Sequence, residues 1–143
     1  MITEFRGEYS WLSNFHPCII KYGDYEYSCV ENAYQSAKNN NPKWKKYCST
    51  HDPKLVKKKA KKVPLNTGWD DYKFVVMYFC LSIKFAQEPF RSKLLSTGDE
   101  LIQEGNNWGD KYWGVCLKTG KGKNALGKLL MSIRNELRLE EEF

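Results

Sequence analysis

The sequence has no long hydrophobic run and no cysteine framework. None of its apolar stretches approaches the ~18 residues of a transmembrane helix, so we expect no membrane span. The N-terminus lacks a basic segment followed by an apolar one, so we expect no signal peptide. Its 5 cysteines are odd in number and form no Cys-x-x-Cys pair, which argues against disulfides and structural zinc. We therefore expect a reducing, cytoplasmic location.

Histidine is scarce, and the phosphate-loop pattern is incomplete. His16 and His51 have no metal-ligand or catalytic-triad spacing, so we expect a reaction without a metal or another cofactor. Residues 122–129 have the spacing of a phosphate loop, but Leu129 stands where such loops need Ser or Thr. Hydrolysis of nucleoside triphosphates is therefore not expected.

The composition is that of a packed globular protein. The chain has 143 residues, 15% of them aromatic, and no internal repeat or linker. We therefore expect one domain over residues 1–143. Short extended segments at 18–22 and 25–27 flank the turn Gly23–Asp24, and helical patterns dominate the remainder. The expected class is mainly α, or α+β with a small N-terminal β portion.

Hydrophobic periodicity predicts four main helices, over residues 28–38, 69–85 and 89–96 and from Asn124 onward. The helix over residues 69–85 carries Val75, Val76 and Phe79 on adjoining faces. We therefore expect this helix to be central and buried on several sides.

The helix over residues 28–38 carries the first candidate site. An apolar stripe at i, i+3, i+4 and i+7 faces the core and consists of Val30, Ala33, Tyr34 and Ala37. Glu31, Gln35 and Lys38 follow one edge of that stripe. An acid and an amine on one rigid element beside a core suit covalent or acid–base chemistry. Two structural alternatives stay open, because Ser28 and Glu31 fit a capping box and Lys38 suits a solvated helix end.

A second candidate region is the Gly- and Asn-rich loop over residues 101–114. Trp108 and Trp113 are costly to expose, so each would plug the core or stack on a planar ligand. Glu104 and Asp110 lie close to these rings in sequence. The two carboxylates are therefore candidates to join Glu31 in a site.

The net charge of +6 is concentrated in one segment, which we call the lysine patch, Lys54–Lys62. Asp52–Pro53 before it predicts an N-cap and a first-turn proline, and therefore a short surface helix. The patch is either a solvated helix face or a phosphate-tracking surface for DNA or RNA. Composition does not choose between them.

Four segments occur in the order of a known family. They are Phe5–Gly7 with Leu12–Phe15, Val30–Lys38, Thr97–Gly114 and Gly122–Arg134. Together they resemble the YbiA-like family, also called NADAR, over about residues 5–134. Asn32 and Ala125 depart from the His and Arg common in the family, and the Lys-rich residues 39–67 match poorly.

The resemblance implies a compact, mostly helical fold with a small β portion and N-glycosidase activity. The family cleaves ribose–nitrogen bonds in phosphorylated riboflavin intermediates, or between ADP-ribose and guanine in nucleic acid. Glu31 is then expected to be the catalytic carboxylate, with Asp110 assisting. Lys38 would form an imine with the opened ribose, or would stay charged and hold a phosphate or hydroxyl.

The remaining motif residues are expected to bind substrate. They are Arg6, Gly7, Ser13, Asn14, Phe15, Tyr34, Gln35, Glu104, Trp113, Gly114, Asn124 and Gly127. Three of these positions also have structural alternatives: Asn124 as a helix N-cap, Gly127 as a close-packing site and Ser13–Asn14 as a turn.

Two other classes of protein compete with an enzyme. One is a non-catalytic reader of ADP-ribose, and the other is a nucleic-acid-binding protein whose pocket is incidental. A glycosidase acting on ADP-ribosylated nucleic acid would use both the pocket and the lysine patch. We favour this combined hypothesis, with a phosphoribosyl small molecule as the other candidate substrate.

Overall fold

Helices form most of the regular structure in the computed structural model, which describes all residues from Met1 to Phe143. The chain forms a 3₁₀ helix (Gly7–Leu12), β1 (Ile20–Tyr22), β2 (Tyr25–Tyr27), α1 (Val30–Ser36), α2 (Pro42–Thr50), α3 (Pro53–Ala60), α4 (Trp69–Phe85), α5 (Phe90–Ser96), β3 (Gly105–Asn106), β4 (Val115–Cys116) and α6 (Ala125–Glu142). The predicted α+β class, mainly helical, is confirmed. No helix combines the length and the apolar character that crossing a membrane requires.

The chain divides into two compact units. The central unit comprises residues 14–84, and the terminal unit comprises residues 1–13 together with residues 85–143. The single domain over residues 1–143 stays a prediction.

The central unit begins with the predicted hairpin. Strands β1 and β2 are antiparallel, with Ile20 opposite Tyr27 and Tyr22 opposite Tyr25. Gly23 has a φ of 63°, a left-handed conformation that glycine adopts without steric cost in a two-residue turn. The hairpin packs against α1, which also contacts α2 and α3.

Helix α1 is shorter and more deeply buried than the sequence predicts. It begins at Val30, with Cys29 in extended conformation at the N-cap position. The predicted capping box is therefore wrong, because Ser28 lies outside the helix and Glu31 is its second residue. All seven side chains of α1 are buried, polar ones included, so the predicted division into apolar and polar faces does not hold. Lys38 follows in a tightened turn, its N–H donating to the Gln35 carbonyl at 3.2 Å.

Helices α2 and α3 start with the same capping arrangement. Asn41 and Asp52 are N-caps whose side chains accept hydrogen bonds from Lys43 N and Lys54 N, and a proline follows each cap. The short helix predicted after Asp52–Pro53 is confirmed. Helix α2 was not predicted, although Asn41–Pro42 carries the same signal.

Helix α4 has the predicted extent but a different buried face. Val76, Met77, Cys80 and Leu81 are buried, whereas Val75 and Phe79 are 49% and 51% exposed. The prediction that α4 is buried on several sides is therefore wrong. The buried stripe ends in Lys84, which is 0% exposed and which the sequence did not single out. Burial lowers the pKa of its amine to about 8.

The terminal unit is built on α6, whose predicted apolar stripe is buried. The stripe consists of Leu126, Leu129, Leu130, Ile133 and Leu137. Strands β3 and β4 form a parallel pair of two residues each, with Gly105 opposite Val115. This pairing joins the two ends of the stretch 105–116, where the sequence predicts only a polar loop.

Candidate functional site

Glu31 and Gln35 form a buried polar pair one turn apart on α1. Gln35 Nε2 donates to Glu31 Oε1 at 3.1 Å. Glu31 is 7% exposed and Gln35 is 5% exposed. Burying a carboxylate is costly unless hydrogen bonds stabilise it, so Gln35 contributes directly to keeping Glu31 at this position. The expectation that an acid and an amide share one edge of this helix is confirmed.

Two buried acceptor atoms of the central unit, one on Gln35 and one on Asn14, have no donor from the protein. Gln35 Oε1 and Asn14 Oδ1 are buried and unpartnered. The bond to Glu31 orients the Gln35 amide, because only its nitrogen can donate to a carboxylate. Asn14 is tied to the same helix, since its carbonyl accepts from Glu31 N at 3.0 Å. Buried polar groups are normally hydrogen-bonded, so each of these acceptors is available to a donor from water or from a ligand.

Asn32 also lies in α1 but serves the structure. It is 0% exposed, and its Nδ2 donates to Cys48 O at 3.0 Å and to His51 O at 2.8 Å. The amide thereby satisfies carbonyls at the end of α2. The asparagine that departs from the family pattern is therefore accounted for by packing within the central unit.

Lys38 lies half-buried just after α1. Its Nζ is 5.6 Å from the centroid of the Tyr34 ring. Burial lowers the pKa of the Lys38 amine, the negative charge of Glu31 opposes that shift, and the positive charges of Lys73 and Lys57 reinforce it. The neutral, nucleophilic form of Lys38 is therefore more accessible than that of an ordinary lysine.

Phe15 is the remaining predicted residue of the central unit. Its ring centroid is 5.6 Å from Lys57 Nζ, which belongs to α3. Phe15 follows Asn14 in the chain, and the Asn14 carbonyl accepts from Glu31 N at 3.0 Å. Six predicted residues therefore lie in the central unit: Asn14, Phe15, Glu31, Tyr34, Gln35 and Lys38.

Asp110 organises the loop of the terminal unit. Its Oδ1 accepts from Tyr112 N and from Trp113 N, both at 3.0 Å. Asp110 itself is held by Asn106, whose Oδ1 accepts from Asp110 N at 3.0 Å and whose Nδ2 donates to Asp110 O at 2.9 Å. Asn106 Nδ2 also lies 3.1 Å from Glu104 Oε2. Sequence reasoning missed Asn106, and its position in a polar loop was the only available signal.

Three motif residues of the terminal unit, Gly114, Asn124 and Gly127, pack closely around residues 102–104. A Cβ on Gly114 would overlap the carboxylate and the backbone oxygen of Glu104, and one on Gly127 would overlap Ile102 O and the Asn124 side chain. Asn124 Nδ2 donates to Ile102 O at 2.9 Å, and its Oδ1 accepts from Glu104 N at 3.0 Å. The close-packing alternative for Gly127 therefore fits the structure. Asn124 takes the N-cap position with a φ of 53°, but its side chain makes no cap hydrogen bond.

The two tryptophans of this loop differ in exposure. Trp113 is half-buried and meets the Tyr112 ring edge-on, with centroids 4.8 Å apart and an interplanar angle of 87°. Trp108 is 59% exposed, so it does not plug the core of the unit.

The N-terminal motif residues also belong to the terminal unit. Arg6 and Gly7 are exposed at the start of the 3₁₀ helix, and Ser13 is half-buried after its end. Their binding roles stay predictions, as do those of Glu104, Trp113 and Gly114. No group of three or more His, Cys, Asp or Glu side chains is arranged to hold a metal ion.

Comparison with known sequences gives one family over nearly the whole chain. The NADAR domain model matches residues 3–138. An N-glycosidase of Nostoc punctiforme is 34% identical over 137 residues, which cover 91% of this chain and 86% of that protein. The N-glycosidase YbiA of Escherichia coli is 32% identical over 139 residues, which cover 94% of this chain and 85% of that protein.

One solved structure and one longer protein are also similar to this chain. The NMR structure of Escherichia coli YbiA has a TM-score of 0.86 and 30% identity, covering 98% of this chain and 84% of that chain. A riboflavin biosynthesis protein of Vibrio vulnificus is 30% identical over 133 residues, which cover 90% of this chain but only 36% of that protein.

The loop geometry predicts how Asp110 responds to substitution. Asp110→Ala removes the acceptor for two backbone N–H groups, so we expect the free energy of unfolding to fall by about 1–3 kcal/mol. Asp110→Asn keeps an oxygen at Oδ1, so we expect a loss below about 1 kcal/mol. Urea denaturation of both variants measures this. Equal losses in both would show that the carboxylate charge, rather than the accepted bonds, stabilises the loop.

Proposed function

The chain belongs to the NADAR domain family, and we propose that it hydrolyses the bond between ADP-ribose and guanine in nucleic acid. The resemblance to the YbiA-like family is confirmed, and the protein is an N-glycosidase, a hydrolase of N-glycosyl bonds. The observation that carries the proposal is the buried Glu31 carboxylate, held at 3.1 Å by Gln35 and flanked by Lys38.

Glu31 suits the charge that develops in such a reaction. Breaking a ribose–nitrogen bond builds positive charge on the anomeric carbon. A carboxylate in a buried, low-dielectric position stabilises that charge more strongly than one in water. Gln35 and the backbone bond to Asn14 fix its helix turn before substrate arrives, so little reorganisation is needed. We assign Glu31 the role of principal catalytic carboxylate.

Lys38 supplies a covalent route. Its neutral amine attacks the anomeric carbon, the carbon–nitrogen bond to the base breaks, and the base leaves with a proton. The ring then opens by breaking the bond between the anomeric carbon and the ring oxygen, which gives an imine on Nζ. Water hydrolyses the imine and releases the sugar. If Lys38 instead stays charged, it holds a phosphate or hydroxyl of the same ribose.

The lysine patch supports a nucleic-acid substrate over a small molecule. All of its lysines except Lys57 are exposed, namely Lys54, Lys58, Lys59, Lys61 and Lys62. Exposed amines along one short segment attract a phosphate backbone, and binding through them weakens as salt rises. Hydrolysis of a phosphorylated riboflavin intermediate is the second candidate, favoured by the name of the Vibrio vulnificus relative.

Asp110 is the predicted catalytic residue of the terminal unit. We propose that Asp110 assists proton transfer through the carboxylate oxygen that does not bind the loop, since only its Oδ1 accepts from Tyr112 N and Trp113 N.

Product analysis by mass spectrometry tests the substrate. We expect the protein to release ADP-ribose from an oligonucleotide carrying ADP-ribosylated guanine and to leave the unmodified guanine behind. A phosphoribosylaminopyrimidine serves as the parallel substrate. Cleavage of the pyrimidine alone would replace the proposal with the riboflavin-intermediate alternative. Binding of ADP-ribose without cleavage of either compound would identify a non-catalytic reader.

Trapping with borohydride tests the covalent role of Lys38. We expect reduction during turnover to leave a stable sugar adduct on Lys38, and to leave none in Lys38→Ala. The yield should rise with pH, because the neutral amine is the nucleophile, and the midpoint should lie below the ordinary lysine value of 10.5. The exposed Lys43 provides the control, since Lys43→Ala should trap normally. An adduct that survives in Lys38→Ala would exclude the covalent route at this residue.

A further inference from the structure

The terminal unit carries a second concentration of lysines, which we call the basic loop, residues 111–123. It contains Lys111, Lys118, Lys121 and Lys123 and no Asp or Glu. All four lysine side chains are exposed. None of them forms an ion pair with a carboxylate of the protein. The basic loop therefore presents four positive charges to solvent that no ion pair neutralises.

Backbone hydrogen bonds fold the basic loop back on itself. Lys123 N donates to Lys111 O at 2.7 Å, and Cys116 N donates to Lys121 O at 2.9 Å. The turn over residues 117–119 joins the two bonded segments. Lysines that are distant in the sequence are thereby held on one small structure. Because like charges so placed repel one another, binding of an anionic partner is favoured.

Two aromatic residues lie in the basic loop or just before it. Trp108 is 59% exposed. It lies in the turn that Asn106 and Asp110 close, where Asn106 Oδ1 accepts from Asp110 N at 3.0 Å. Tyr112 is half-buried, and its ring centroid lies 5.8 Å from Lys123 Nζ. An indole that is exposed in a fixed turn fits stacking on a planar ligand rather than packing in the core.

Exposed amines together with an exposed indole fit single-stranded nucleic acid. Lysines attract the phosphates of any nucleic acid, whereas an aromatic ring stacks on bases whose faces are open, as they are in a single strand. An anionic membrane would also attract the lysines, but binding to a membrane surface requires a broad apolar face. Within residues 105–123, Leu117 is the only large hydrophobic side chain besides Trp108 that is exposed. Nucleic acid is therefore the partner that this surface fits better.

We propose that Trp108 and the basic loop form a binding surface for single-stranded nucleic acid. A base stacks on the Trp108 ring, and the lysines of the loop hold the neighbouring phosphates. The inference rests on the proposed function in taking this strand to be part of the substrate, but the binding itself requires no cleavage. The surface belongs to the terminal unit, whereas the lysine patch belongs to the central unit.

The basic loop and the lysine patch differ in the strands that they distinguish. The exposed side chains of the patch are lysines and Leu55, without an aromatic ring. Amines alone bind the phosphates of single and double strands alike. Trp108 adds a contact that only an unpaired base can make. We therefore expect the preference for single strands to depend on Trp108.

Fluorescence anisotropy with two labelled probes tests the stacking contact. The probes are an oligothymidine of about 20 nucleotides and a DNA duplex of about 20 base pairs. We expect Trp108→Ala to weaken binding of the oligothymidine about tenfold and to leave duplex binding within about twofold of the wild type. Trp108→Phe keeps an aromatic ring, so it should lose less than about threefold. Wild-type affinity of Trp108→Ala for the oligothymidine would overturn the proposal.

The salt dependence of the same binding tests the lysines. Lys118→Gln combined with Lys121→Gln removes two phosphate contacts. The slope of log affinity against log salt concentration for the oligothymidine should therefore become shallower by about 1.4. Lys43→Gln combined with Lys46→Gln is the matched control, since both residues are exposed on α2 and the change in net charge is the same. We expect this control to keep the wild-type slope. Equal slopes in both double variants would contradict phosphate binding by the basic loop.

Cleavage and vesicle binding separate this inference from its alternatives. If the wild type cleaves no candidate substrate yet shows these losses of binding, the proposed function fails and the strand-binding surface stands. If the wild type cleaves the ADP-ribosylated oligonucleotide and Trp108→Ala does so with the same KM, the surface is excluded and the proposed function stands. Vesicles with about 30% phosphatidylserine test the membrane alternative. Vesicle binding that is lost in Trp108→Ala, without binding of the oligothymidine by the wild type, would overturn the proposal in favour of a membrane surface.

Discussion

The central unit depends on the complete burial of α1, a seven-residue helix with polar side chains in four positions. A short buried helix leaves carbonyls at its C-terminal end without internal partners. Three side chains from other elements satisfy them. Trp44 Nε1 donates to Gln35 O at 2.9 Å, Lys45 Nζ to Ser36 O at 3.1 Å, and Asn66 Nδ2 to Ala37 O at 3.2 Å. Side chains of the Lys-rich segment, residues 39–67, therefore permit α1 to be buried.

Burial also defines the chemistry available to the site. Gln35 donates its side-chain N–H to Glu31, and its side-chain oxygen has no donor from the protein. Burial also lowers the pKa of the Lys38 amine, and the negative charge of Glu31 acts on that amine in the opposite direction. Preorganised charge of this kind is the usual source of large rate effects in enzymes. The burial of α1 thus bears on both the stability of this region and the chemistry that we propose for it.

The sequence predicts the parts of this arrangement that depend on local patterns. The hairpin turn at Gly23, the helix start after Asp52–Pro53 and the shared edge of Glu31 and Gln35 all follow from short-range rules. It does not predict which backbone groups a polar side chain will bond. No periodicity in the sequence reveals the bond from Asn32 to the end of α2 or the bond from Asn106 to Asp110. Phe79 was misplaced because hydrophobic residues on adjoining faces of α4 do not indicate which face the core covers.

The central claim is that the Glu31 carboxylate takes part in breaking the ribose–nitrogen bond. The most direct measurement is the single-turnover rate of the wild type and of Glu31→Gln on the substrate that the wild type cleaves, with ligand affinity measured in parallel. The amide keeps the shape of Glu31 and removes its charge. We predict a rate about 10²–10⁴ times lower, with affinity for ADP-ribose changed less than about threefold. A variant that cleaves within about threefold of the wild-type rate would contradict the assignment of Glu31 and the mechanism built on it.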